Sequence, residues 1–138
     1  MTSRPLRLTL LVTLLATAAV AGTPEGRLRE LGLSLPAANA PVANYVPAVR
    51  SGNLIFVAGH IPRDAAGKVI TGKVGRDATE QNAIDAAKQV TLSLLATLKA
   101  EVGDLAKVKR IVRVGGFING TEDFQNQPKV MNGCSDLL

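Results

Sequence analysis

The chain has 138 residues, 46% of them hydrophobic and only 3% aromatic, which describes one domain with a core of Val, Leu, Ile and Ala and argues against an intrinsically disordered chain. A single cysteine, Cys134, excludes an intrachain disulfide. The formal charge of +5 falls by two, to +3, once Arg4 and Arg7 of an N-terminal leader are set aside, so the basic balance argues only weakly for nucleic acid.

Residues Met1 to Ala21 have the three parts of a secretory signal. Arg4 and Arg7 form a positive start, Leu8 to Val20 an apolar run, and Ala19-Val20-Ala21 the small residues that a signal peptidase needs. The apolar run is shorter than the ~20 residues of a spanning helix, an uncleaved anchor being the alternative. The expectation is an exported protein, periplasmic or secreted, free of the membrane after cleavage.

Thr23 to Asn44 is rich in Ala and Pro and has no steady period, so residues 22–34 read as a lead-in with a short helical turn at Arg27 to Leu31. The folded domain is placed at 35–138. Tyr45 to Arg50 and Asn53 to Ile61 are predicted strands around Ser51-Gly52, a hairpin in which Gly52 supplies the positive φ. The continuous apolar run Leu54 to Ala58 predicts a strand covered on both faces or lying centrally in the sheet. Arg63 to Gly75 reads as a loop with a short edge strand at Val69 and Ile70.

The strongest predicted helix follows. Asp77 is expected to cap it with Glu80 in the manner of a capping box. Ala83, Ala87, Val90, Leu94 and Leu98 recur at helical spacing, widened by Ile84, Thr91 and Leu95, until Gly103. Val108 to Ile118 is predicted as a strand, with Gly115-Gly116 as a bulge or a close backbone approach. Strand, helix, strand implies a right-handed crossover to a parallel neighbour. Asp123 to Leu138 is predicted as a second helix begun near Pro128, with Val130, Met131, Cys134, Leu137 and Leu138 on one face. That apolar face is reached at the last residues with no cap, and the expectation is a domain incomplete at its C-terminus.

The densest basic group, Lys107, Lys109, Arg110 and Arg113, has no interleaved aromatic residues and reads as a solvated strand entrance rather than a nucleic-acid surface. One His and one Cys make no metal set, no phosphate or dinucleotide loop is present, and no cofactor is expected. Glu122 and Asp123 suit a helix start, and Cys134 suits a small buried hydrophobe.

Two stretches resemble the YjgF/RidA family, also known as endoribonuclease L-PSP or chorismate-mutase-like proteins. Ala40 to Asp64, APVANYVPAVRSGNLIFVAGHIPRD, resembles the family's opening hairpin. Gly103 to Leu138, GDLAKVKRIVRVGGFINGTEDFQNQPKVMNGCSDLL, resembles the strand and helix that follow its first helix, in a branch distinct from the well-known imine deaminases. The resemblance implies an α+β fold with a mixed sheet carrying two helices on one face, its last strands missing here. It also implies a homotrimer with pockets between subunits.

The activity implied is that of a 2-iminobutanoate/2-iminopropanoate deaminase-like hydrolase acting on small reactive carboxylates. A non-catalytic small-ligand or protein-binding trimeric module is the alternative. The family's carboxylate-gripping arginine and water-side glutamate are expected beyond Leu138, and Arg113, on a predicted strand, does not take the arginine's place. Pocket candidates by resemblance are Tyr45, Gly59, His60 and one of Asn126 or Asn132. Each has a plainer reading as well: a half-buried strand aromatic for Tyr45, a strand-end histidine without a partner for His60, a helix cap for either asparagine. Ala58 replaces the family's usual serine and removes a hydroxyl. Ribonuclease activity lacks a visible acid/base pair, and a chorismate-mutase-type rearrangement is an analogy of fold alone.

Overall fold

A computed structural model describes residues 22–38, 43–64 and 66–138; the leader expected at Met1 to Ala21 lies outside them. The first element is helix α1, Pro24–Glu30, capped by the Thr23 hydroxyl, which accepts from the Gly26 N–H at 3.0 Å. It lies within the stretch expected to be a lead-in, yet it is docked on the body. Leu28 is buried, and the Glu25 carboxylate accepts from the Leu105 N–H at 3.2 Å and meets the Lys99 ammonium at 3.4 Å.

Strands β1, Ala48–Ser51, and β2, Leu54–Val57, form the predicted hairpin, an antiparallel pair in the register Ala48↔Val57 to Ser51↔Leu54. Gly52 turns the chain with φ +57°, a conformation that Gly adopts without the steric cost of a Cβ. The pleat sends Ala48, Ile55 and Val57 toward the helices and leaves Val49, Leu54 and Phe56 exposed on the other face. The expectation that β2 is covered on both faces is therefore corrected: the helical layer covers one face only, and no described element lies on the other.

Arg63 and Val69 pair across a small loop whose turn is organised by Asp64, a carboxylate accepting from the Ala66 and Lys68 N–H groups at 2.9 Å each. Helix α2, Glu80–Val102, then runs to Gly103, where φ +81° ends it. Its cap is Thr79 rather than Asp77. The Thr79 hydroxyl accepts from the Asn82 N–H at 3.1 Å while Asn82 Oδ1 accepts from the Thr79 N–H at 3.0 Å. Asp77 is already engaged with the Lys73 N–H and the Arg76 guanidinium, so its carboxylate serves the preceding turn.

A 3₁₀ turn, Leu105–Lys107, buries Leu105 to 2% exposure between α1 and α2, which stabilises the fold by about 1.5–3 kcal/mol. Helix α3, Gln127–Ser135, is shorter than the expected second helix and has Pro128 in its first turn. It packs along α2. Gly133 permits this, because a Cβ there would collide with the Ile84 carbonyl oxygen. Val130, Gly133 and Cys134 are the buried residues of α3, and Thr91, Ala96, Thr97 and Leu98 those of α2. The fully buried Thr91 hydroxyl donates to Ala87 O at 2.8 Å, which satisfies it inside an apolar layer.

The strand predicted over Val108 to Ile118 is not formed: residues 108–119 carry no regular secondary structure. It lacks a hydrogen-bonded neighbour among the described residues until Asn119 O accepts from the Val74 N–H and the Thr121 N–H donates to Val74 O, both at 2.9 Å. That bridge is parallel, Val74↔Gly120, so α2 does connect two parallel segments, by a single bridge. Gly116 makes the expected close approach: a Cβ on it would fall 2.5 Å from the Met131 sulfur.

Candidate functional site

Helix α2 divides the expected pocket residues into two groups. At one end, His60 follows β2 and its ring is held on both sides. The Ala58 carbonyl can only accept, so Nδ1 carries a proton and donates to it at 2.9 Å. In the neutral ring Nε2 then accepts from the buried Thr97 hydroxyl at 2.9 Å. Gly59 beside it is exposed. Tyr45, before β1, is exposed, and its N–H donates to Ala43 O at 2.8 Å.

At the other end lies Glu80, in the first turn of α2. Its carboxylate meets the Lys129 ammonium at 2.5 Å and accepts from Asn126 Nδ2 at 2.7 Å. These two partners, Lys129 first, hold the Glu80 carboxyl below the usual carboxylate range. Asn126 occupies the N-cap position of α3 without capping it, since its side chain is spent on Glu80. Asn132 is exposed on α3. Glu80 also borders an open cavity of about 480 Å³ whose wall includes Val74, Arg76, Asp77, Thr79 and Phe124. The Asp77 carboxyl is likewise held low, by the Lys73 N–H first and the Arg76 guanidinium next.

Thr97 and Glu80 are separated by the length of α2 between them, roughly 25 Å at helical rise. Within one chain, therefore, His60 and Gly59 do not meet Asn126. Arg113 is exposed on the extended segment and makes no hydrogen bond or ion pair among the described residues. Glu80 was legible only as a capping residue. Its Lys129 partner carried no sequence signal, and Thr97 could have been suspected as a polar residue within an apolar helical stripe. Among the described residues no group of three His, Cys, Asp or Glu side chains is placed to hold a metal ion. None of the described helices is long and apolar enough to cross a membrane.

A helix pair backing a β-hairpin, with a further parallel bridge across the helical connection, defines an α+β chain of the chorismate-mutase-like kind. The profile of the YjgF/chorismate mutase-like family, whose members are provisionally described as endoribonucleases, matches residues 25–138. The chain belongs to this family. Protein TCP17 of Trypanosoma cruzi is 38% identical over 117 residues, which cover 85% of this chain and 73% of TCP17. A crystal structure from Shewanella oneidensis, provisionally described as an endoribonuclease, superposes with a TM-score of 0.80 at 35% identity, over 84% of this chain and 77% of that one. A protein of unknown function from Agrobacterium tumefaciens superposes with a TM-score of 0.75 at 41% identity, over 89% of this chain and 76% of its own.

Proposed function

We propose that this chain handles small carboxylate metabolites in pockets formed between subunits of a homotrimer, and that it binds them without hydrolysing them. One observation carries the second half of the reading. The only histidine has both ring nitrogens committed, to Ala58 O and to the Thr97 hydroxyl, so neither is free to move a proton for a substrate. The first half is supported by family membership and by the separation of the candidate residues, which favours a pocket assembled from different ends of neighbouring chains.

The purified chain is tested with pyruvate, 2-oxobutanoate and freshly generated 2-iminopropanoate. The expected result is a rise in melting temperature with ligand concentration and ammonia release no faster than without protein. A melting temperature that stays flat across the panel overturns the binding reading; ammonia release above the uncatalysed rate overturns the non-catalytic one.

A hydrolytic reading rests on a different observation, the Glu80 carboxylate on the wall of the cavity, which would have to leave Lys129 or Asn126 to accept a proton from water. It predicts ammonia release that Glu80→Gln abolishes. We also infer export, from the leader composition. Intact mass of the protein recovered from a periplasmic extract checks this, the expected species beginning after Ala21.

A further inference from the structure

The pair Asn-Gly occurs twice in the sequence, at Asn119-Gly120 and at Asn132-Gly133, and the fold treats the two differently. An asparagine followed by glycine closes on itself readily, because no Cβ on the second residue obstructs the approach of its backbone nitrogen to the side-chain amide. Asn132 and Gly133 lie inside α3, between the buried Val130 and Cys134. Gly133 is packed against the Ile84 carbonyl, so the helix must open before its nitrogen can turn toward Asn132. Asn132 is exposed, and its protection therefore comes from the backbone and not from burial.

Asn119 and Gly120 stand outside the helices and strands. The Asn119 side chain is tied by one exposed bond, Nδ2 donating to Gly72 O at 2.9 Å. The backbone on either side of Gly120 carries the Val74–Gly120 bridge, in which Asn119 O accepts from the Val74 N–H and the Thr121 N–H donates to Val74 O. Freeing the pair breaks only these bonds and leaves the α2–α3 contact intact, a local opening that precedes global unfolding. Packing also fixes the glycine. A Cβ on Gly120 would fall 2.8 Å from the Phe124 ring, which keeps out a bulkier residue that would slow closure.

We propose that Asn119 is a site of spontaneous deamidation and that its conversion unties the Val74–Gly120 bridge. The Gly120 backbone nitrogen, its proton taken by hydroxide, attacks Asn119 Cγ. The new C–N bond closes a succinimide as the Cγ–Nδ2 bond breaks and ammonia leaves. Water then opens either imide carbonyl to give aspartate or isoaspartate, so the balance is amide plus water to carboxylate plus ammonium, with no redox step. Either product sets a carboxylate where Nδ2 met Gly72 O and leaves that carbonyl without its donor. Isoaspartate also lengthens the main chain at the residue whose carbonyl accepts from Val74. The segments before and after α2 then lose the bridge that joins them. This inference goes beyond the carboxylate pocket and does not depend on it.

The whole purified chain is held at mildly alkaline pH in heavy-oxygen water, and its peptides are mapped by mass and by isoaspartyl methyltransferase labelling. Water oxygen and methyl label should enter at Asn119 more than about tenfold faster than at Asn132, because closure at Asn132 waits for α3 to open. In urea both sites should convert at similar rates. The converted fraction should exchange its Val74 and Thr121 amides faster than fresh protein. Asn119→Asp, which sets the carboxylate directly, should melt a few degrees lower. Equal rates at the two sites in the folded chain overturn the proposed site, as does an Asn119 that stays intact while the unfolded chain converts. Unchanged exchange at Val74 in the converted fraction overturns the untying.

Discussion

The Lys129 ammonium sits 2.5 Å from the Glu80 carboxylate and so ties the first turn of α3 to the first turn of α2. Because Lys129 and Asn126 favour the ionised form, the carboxyl titrates lower in the folded chain than in the unfolded one. A group depressed in this way contributes stability that is present above its unfolded pKa and is lost as pH falls through the folded one. The melting temperature should therefore fall on acidification below the ordinary glutamate range. Glu80→Gln should make that acid limb shallower while leaving the neutral-pH unfolding cooperative. Thermal melts from neutral to acid pH check this, and identical limbs for the two proteins would refute it.

Gly133→Ala should destabilise the chain by about 1–3 kcal/mol, since the new methyl meets the Ile84 carbonyl oxygen across the α2–α3 contact. The obstacle is backbone, so trimming the neighbouring side chain in Ile84→Ala should not restore the loss. Urea midpoints of the single and double variants measure both effects.

Thr79→Ala should cost about 1 kcal/mol by removing the side-chain half of the capping box. Asp77→Ala should leave the helix cap intact and loosen the Lys73–Asp77 turn instead. Amide hydrogen exchange separates them: the first variant speeds exchange at Asn82, the second at Lys73.

Thr97→Val should lower stability by about 1–2 kcal/mol, because it leaves the His60 Nε2 atom facing a methyl group. The His60 ring should keep its Nδ1 proton as long as Ala58 O holds it. Nitrogen chemical shifts of the ring report the tautomer, and a switch to the Nε2-protonated form in the variant would contradict the arrangement.

The hairpin and α2 were legible because their signals are local: a glycine able to adopt φ +57° between apolar strands, and apolar residues at helical spacing that stop at Gly103. The cap was misplaced by two residues. Asp77 and Thr79 both suit the position, and the competing claim of the Lys73 N–H on Asp77 becomes visible only in three dimensions. For Val108 to Ile118 the predicted strand is not formed among the described residues, since a ladder depends on a neighbour that the segment itself does not encode. The sequence named candidate residues without saying where they stand relative to one another. Tyr45, His60, Asn126 and Asn132 are ordered along the chain by resemblance, while α2 carries the partners of His60 and Asn126 to opposite ends. Docking of α1 was hidden because Glu25 reaches Leu105, whose distance along the chain leaves no periodic trace.

The outer face of the hairpin, where Leu54 is 48% and Phe56 62% exposed, also affects how the protein responds to dilution. Any association that covers these side chains makes the melting temperature rise with protein concentration, because assembly then draws on the folded state by mass action. A sample thinned below the dissociation constant would meet water on that face and lose the added resistance to heat.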